Sequence, residues 1–259
     1  MEFSRVSNMK PGFLTFPYRI LLIAALVLPG MVSADLTDMK VYSPIVEKGE
    51  LQFEIIGNVV IDDNDEYHGL KHQEFELEYG VKDFWATSLT ASLIEPAGEG
   101  VKYDILGWEN TLQLTEEGRY WLDFGFHVEI EANDEGDEPH NLEGRFLFRR
   151  VSGAFEHILN VNFEQQFGSA ADESTELEYI WRTKYSLDDD TAIGFEAFGA
   201  PGEIKYLPAL SEQDHRLGPA FYRDVKLGDV TVELNLIWLI GLTEGSAAHT
   251  PHWQIEMEF

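Results

Sequence analysis

The residues of this chain able to do chemistry are its carboxylates and histidines: 47 Asp and Glu and 8 His, against 18 Lys and Arg and no Cys. Without a thiol the chain can form neither a disulfide nor a thiolate nucleophile or metal ligand. His127 lies two residues from Glu129 and four from Asp123, and in an extended chain residues two apart share a face. A histidine and carboxylates on one face can hold a divalent cation. His68 and His72 lie beside an acidic stretch, and His249 and His252 lie together near the C-terminus. No tight ligand set emerges from these spacings, so no metal ligand and no cofactor is assigned. The chain has no G-x-S-x-G, H-E-x-x-H or P-loop sequence, and the expectation is a protein that is not an enzyme, with no catalytic residue.

The elements that must position these side chains are strands. Glu74, Glu76 and Glu78, with His72, alternate with Phe75, Leu77, Tyr79 and Val81. In Tyr120 to Glu131, Asp123, His127 and Glu129 alternate with Leu122, Phe124, Phe126, Val128 and Ile130. Glu176, Glu178, Arg182 and Lys184 alternate with Leu177, Tyr179, Trp181 and Tyr185. At the C-terminus Gln254, Glu256 and Glu258 alternate with Trp253, Ile255, Met257 and Phe259. A period of two puts an apolar stripe on one side of a sheet and polar groups on the other. Further strands are expected over Glu50 to Ile61, Trp85 to Ile94, Val101 to Leu114, Leu142 to Arg150, Phe155 to Phe167, Asp214 to Val225 and Val230 to Leu242. Thr191 to Phe198 is the weakest segment. Together they number about twelve, with no run of helical period. His157 falls on the apolar face of its strand. Either it sits near a boundary with water, or the register there is shifted by one residue.

Short connections (82–84, 115–118, 151–154, 186–190, 227–229) alternate with mostly longer, acidic or Pro/Gly-rich ones (62–69, 132–141, 168–174, 199–213, 243–252). The N-terminus carries Arg5, Lys10 and Arg19 before an apolar run from Ile20 to Val27, then Val32-Ser33-Ala34. This is the pattern of a cleaved export signal over 1–34, leaving residues 35–48 as a periplasmic segment and 49–259 as the folded domain. Met9 could be the true start. The apolar run is short for a membrane anchor. The formal charge of −29 argues against nucleic acid and anionic lipid as partners, since both need clustered Lys and Arg.

An exported chain ending in an alternating strand closed by an aromatic residue resembles a bacterial outer-membrane β-barrel. The resemblance implies an all-β, antiparallel up-and-down transmembrane barrel, short periplasmic turns and long extracellular loops. It places the protein in the outer membrane of a Gram-negative cell, with lipid and the barrel-assembly machinery as partners and Phe259 as assembly signal. Trp85, Tyr120 and Tyr185, beside short turns, suit an aromatic girdle. Val41 to Leu51, Tyr79 to Trp85, His215-Arg216-Leu217-Gly218-Pro219 and the last four residues are similar to uncharacterised proteobacterial barrels of the phenol meta-degradation type. Those are proposed to pass hydrophobic compounds. The resemblance maps no functional residue.

Closing such a barrel makes the first, second and last strands neighbours and turns their polar faces inward. Glu54, Glu74, Glu76, Glu78, Glu256 and Glu258 then form an acidic lumen wall. Arg145, Arg149, Arg182 and Lys184, mixed with Glu143, Asn160, Asn162, Glu176 and Glu178, stand across from it. Such walls tune pore selectivity. The function expected is passive passage of an unidentified small solute. Internal ion pairing that fills the lumen is the alternative, in a surface barrel whose acidic loops bind a cation or partner. A catalytic barrel such as an outer-membrane phospholipase comes third, because no grouped Ser and His signature is found.

Overall fold

The structure is a computed structural model that describes residues 39–65, 67–133, 139–168, 171–172 and 174–259. The export signal expected over 1–34 lies outside the described residues. Twelve strands follow one another: β1 (Leu51–Val59), β2 (Lys71–Lys82), β3 (Trp85–Glu95), β4 (Lys102–Gln113), β5 (Asp123–Asn133), β6 (His140–Ser152), β7 (Phe155–Phe167), β8 (Thr175–Ser186), β9 (Thr191–Glu203), β10 (Asp214–Leu227), β11 (Val230–Gly241) and β12 (His249–Glu258). Each pairs antiparallel with its chain neighbours, and β1 pairs with β12 to close the barrel. Closure leaves no edge strand with unpaired backbone groups. At the seam Phe259 N donates to Leu51 O at 2.9 Å, extending the ladder to the last residue.

The period of two is what the barrel reads. On β2, Leu77 and Tyr79 are almost half exposed, whereas His72 and Glu76 are buried. The same outward band continues through Leu89, Trp108, Phe195, Leu236 and Trp238. A belt of this kind matches hydrocarbon, and only every second residue needs to be apolar to make it. Tight turns fix the register at one end. Gly153 and Gly228 take positive φ, 63° and 70°, as first residues of the two-residue connections to β7 and β11. This is the hairpin position where a Cβ is strained.

Two local expectations are corrected. β5 starts at Asp123, not Tyr120, so the connection from β4 is a longer loop. Asp123 Oδ1 accepts from Gly118 N at 2.7 Å and Thr115 Oγ1 accepts from Phe124 N at 2.8 Å, which folds 115–122 back on itself. Tyr120 and Trp121 are strongly exposed on that loop. β9 extends past Phe198 to Glu203. His157 is outward, beside the Gly153 turn, with Nδ1 2.8 Å from Thr183 Oγ1; its register is unshifted.

Residues 39–48 differ most from expectation. The sequence places them in the periplasm, but they run inside the barrel as a strap. Met39 and Val41 pack with Ile158, Ile180, Phe198, Tyr222, Ile237 and Leu239 in one buried cluster. These are inward residues of β7 to β11, so part of that wall is an apolar patch. Burying a Met or Val contributes about 1.5–3 kcal/mol; fixing each residue's backbone costs roughly 1–2 kcal/mol. The two nearly cancel, so the strap's polar anchors decide whether it stays.

Candidate functional site: the lumen and its strap

Those anchors come from six strands. Lys40 Nζ contacts Glu76 Oε2 and lies 3.2 Å from Glu54 Oε2. Burial alone would lower the Lys40 pKa; the Glu54 and Glu76 carboxylates outweigh it and hold the group well above its ordinary value. Asn160 on β7 clasps Tyr42: its Oδ1 accepts from Tyr42 N at 2.8 Å and its Nδ2 donates to Tyr42 O at 2.9 Å. The Tyr42 ring lies 4.3 Å from the ring of His127 and 4.3 Å from the Arg145 guanidinium. Val46 N donates to Gln113 Oε1 at 2.9 Å, and Gly49 N to Gly80 O at 2.7 Å. Two glycines leave room for this path. A Cβ at Gly80 would overlap Glu47 O, and one at Gly125 would lie 2.8 Å from Pro44 Cβ.

Beside the strap, toward the short-turn end, lies a cavity of about 310 Å³. Glu54, Glu78, Glu256 and Glu258 line one side, and Arg149, Arg182 and Lys184 line another. Glu74, Glu76 and Arg145 stand farther from the short turns and do not reach it. Glu54 is directly opposite both Glu76 and Glu256, and Glu256 is opposite Glu233.

Each of the four cations has a carboxylate. Arg145 is held by Glu143, with NH2 donating to Oε2 at 2.7 Å. Arg149 donates to Glu156 at 2.6 Å and to Glu117 at 2.7 Å. Arg182 Nε donates to Glu196 Oε1 at 2.6 Å, an oxygen that also accepts from Tyr222 at 2.9 Å. Lys184 lies 3.6 Å from Glu156. The far side therefore pairs its cations locally, and carboxylates of β12, β1 and β2 line the other side.

Sequence reasoning missed three participants. Lys40, the cation that neutralises part of the acidic wall, sits on the strap. Its signal was the apolar content of Met39, Val41, Tyr42 and Val46, which water would not favour. Arg216, buried on β10, forks onto Asp214 two residues away and donates to Thr250 Oγ1 at 3.0 Å. Glu109, buried on β4, belongs to a pattern visible only in the register. Glu258, Gln52, Glu78, Ser88, Glu109, Glu129, Glu143, Glu164 and Glu176 are successive cross-strand partners. Strand tilt makes such a row wind along the barrel. This one climbs from the end of β12 to the start of β8, next to the long loops. Like charges placed directly opposite repel, and Arg145, against Glu129 and Glu143, offsets part of that repulsion.

No protein-family model and no curated protein matches the sequence. Among solved structures the chain is similar to the NanC porin, with a TM-score of 0.54 and 10% identity over 80% of this chain and 98% of that one. It is also similar to the KdgM porin, with a TM-score of 0.50 and 8% identity over 80% and 98% of the two chains. At such identities the likeness is one of architecture, and the fold is that of a bacterial outer-membrane barrel.

Proposed function

We propose that the protein is an outer-membrane channel for small polar solutes that carry a positive group, with residues 39–48 as a strap across its lumen. The charged cavity beside the strap carries this reading. Its carboxylates line the cavity near the short-turn end, and the register row of glutamates continues toward the long loops. Charge walls of this kind select by sign. The resemblance to phenol meta-degradation barrels adds a second solute class, small hydrophobic compounds. The apolar residues of β7 to β11 around Met39 and Val41 favour that class only where the strap has moved aside. Twelve strands lie between filled eight-stranded barrels and open porins, so the strap decides how much of the lumen is free.

Planar-bilayer recording of the folded protein tests this. Discrete conductance with cation preference is expected, and Glu256→Gln with Glu258→Gln should reduce that preference. Anion selectivity overturns the acidic lumen. Silence both with the strap and without it overturns the channel and leaves the surface-barrel reading. Phe259 keeps its proposed part in assembly: its removal should lower the yield of folded barrel in the outer membrane while conductance of the folded fraction is unchanged. Normal yield would make it one more lipid-facing residue.

A further inference from the structure

Two members of the glutamate row, on β4 and β5, belong to a tighter arrangement with a histidine. Glu109 and Glu129 are directly opposite each other, and Thr111 and His127 are directly opposite one step nearer the short turns. All four are buried, at 5% exposure or less. Two carboxylates facing each other out of water repel and lose their hydration. Glu143 offsets Arg145, which approaches Glu129 at 3.5 Å, but both oxygens of Glu109 have no hydrogen-bond partner among the described residues. The same holds for Nε2 of His127, which points between the two acids, 3.7 Å from Glu109 Oε2 and 4.0 Å from Glu129 Oε2. One ligand atom from each of the three lies within 4.8 Å of the others.

These separations are too long for hydrogen bonds and suit donors around a common centre. Ligands bound at roughly 2.0–2.2 Å stand about 3–4 Å from one another. We propose that Glu109, His127 and Glu129 form a site for a divalent transition-metal ion. The imidazole selects such an ion over magnesium or calcium, which take oxygen donors. The surroundings already orient the ligands. His127 Nδ1 is 3.0 Å from Thr111 Oγ1, and a proton donated there leaves the lone pair on Nε2. The Tyr42 ring of the strap packs on the imidazole. Gly107 has no side chain where Glu129 needs space, since a Cβ there would lie 2.6 Å from Glu129 Oε1. Glu76, with another oxygen that lacks a hydrogen-bond partner, forms a second close group with Glu74 and Glu109 and offers a further donor.

The proposal rests on wall geometry and is independent of transport. Zinc is the probe, added to the full-length folded protein in detergent. Isothermal titration should give one zinc per barrel, and anomalous diffraction from zinc-soaked crystals should place it between Glu109, His127 and Glu129. Glu109→Gln and His127→Ala should weaken binding by more than about 100-fold, beyond what loss of a supporting partner costs, whereas Glu258→Gln should leave it unchanged. The diffraction experiment needs no variant, so a substitution that fails to fold does not blunt the test. A zinc peak only at surface histidines such as His68 or His249, no binding, or unchanged affinity in the variants would overturn the site.

Discussion

Exchanging residues 39–46 for a flexible Gly/Ser run raises single-channel conductance at least several-fold and strengthens cation preference. The strap places Met39, Val41 and Tyr42 across the lumen and covers part of the acidic wall with Lys40. Its removal frees volume and leaves Glu54 and Glu76 without their cation. The wall strands keep every rung of their ladders, because the strap's backbone bonds go to Asn160 and Gln113 side chains and to Gly80 at the rim. Heat-modifiable migration should therefore persist in the variant. Gly80→Val is an independent route to the same state: its Cβ meets the Glu47 carbonyl, a backbone atom that cannot rotate away. Equal conductance in the original protein and both variants would show that the strap does not limit the path.

Lys40→Met should weaken strap docking by roughly 3–5 kcal/mol, the usual result of removing one partner from a buried ion pair. Glu54 and Glu76 are 4% and 1% exposed, so little water reaches them while the strap is seated. Leaving two adjacent carboxylates uncompensated costs more than the lost contact alone. The barrel need not unfold to relieve this, since the strap can lift and let water in. The effect is thus expected in local exchange, not in global melting. Amide hydrogen exchange at Tyr42 and Val46 should accelerate by about 100-fold or more, given that each 1.4 kcal/mol is a factor of ten. Adding Glu54→Gln and Glu76→Gln to Lys40→Met should restore much of the protection. Unchanged exchange in Lys40→Met would mean that apolar packing of Met39 and Val41 holds the strap alone.

Both results depend on a segment whose place could not be read from its own residues. Alternation in Leu70 to Val81 or Trp253 to Phe259 is a local property, and a period of two assigns faces wherever the strand pairs. Residues 39–48 have no such period. Met39, Val41 and Tyr42 are apolar enough to need burial, but their partners are up to 200 residues away on β7 to β11. His157 shows the opposite case: the period of two puts it on the outward face, and it stays there with Nδ1 on Thr183 Oγ1, because face assignment depends only on spacing along the strand.

By itself, the sequence determined a barrel of about twelve strands, its inward and outward faces and most of the short and long connections, since each follows from side-chain spacing and turn chemistry over a few residues; the β4–β5 connection, folded back through Asp123 and Thr115, was the exception. It also listed the acids of the wall by strand. Only the tertiary structure decided which acids meet. Register and tilt set Glu109 against Glu129, joined seven glutamates into a winding row across nine strands, and brought Lys40 between Glu54 and Glu76. Closure is the physical reason: once β1 pairs with β12, the interior is a finite space, and what fills it is fixed by volume and charge summed over the whole wall.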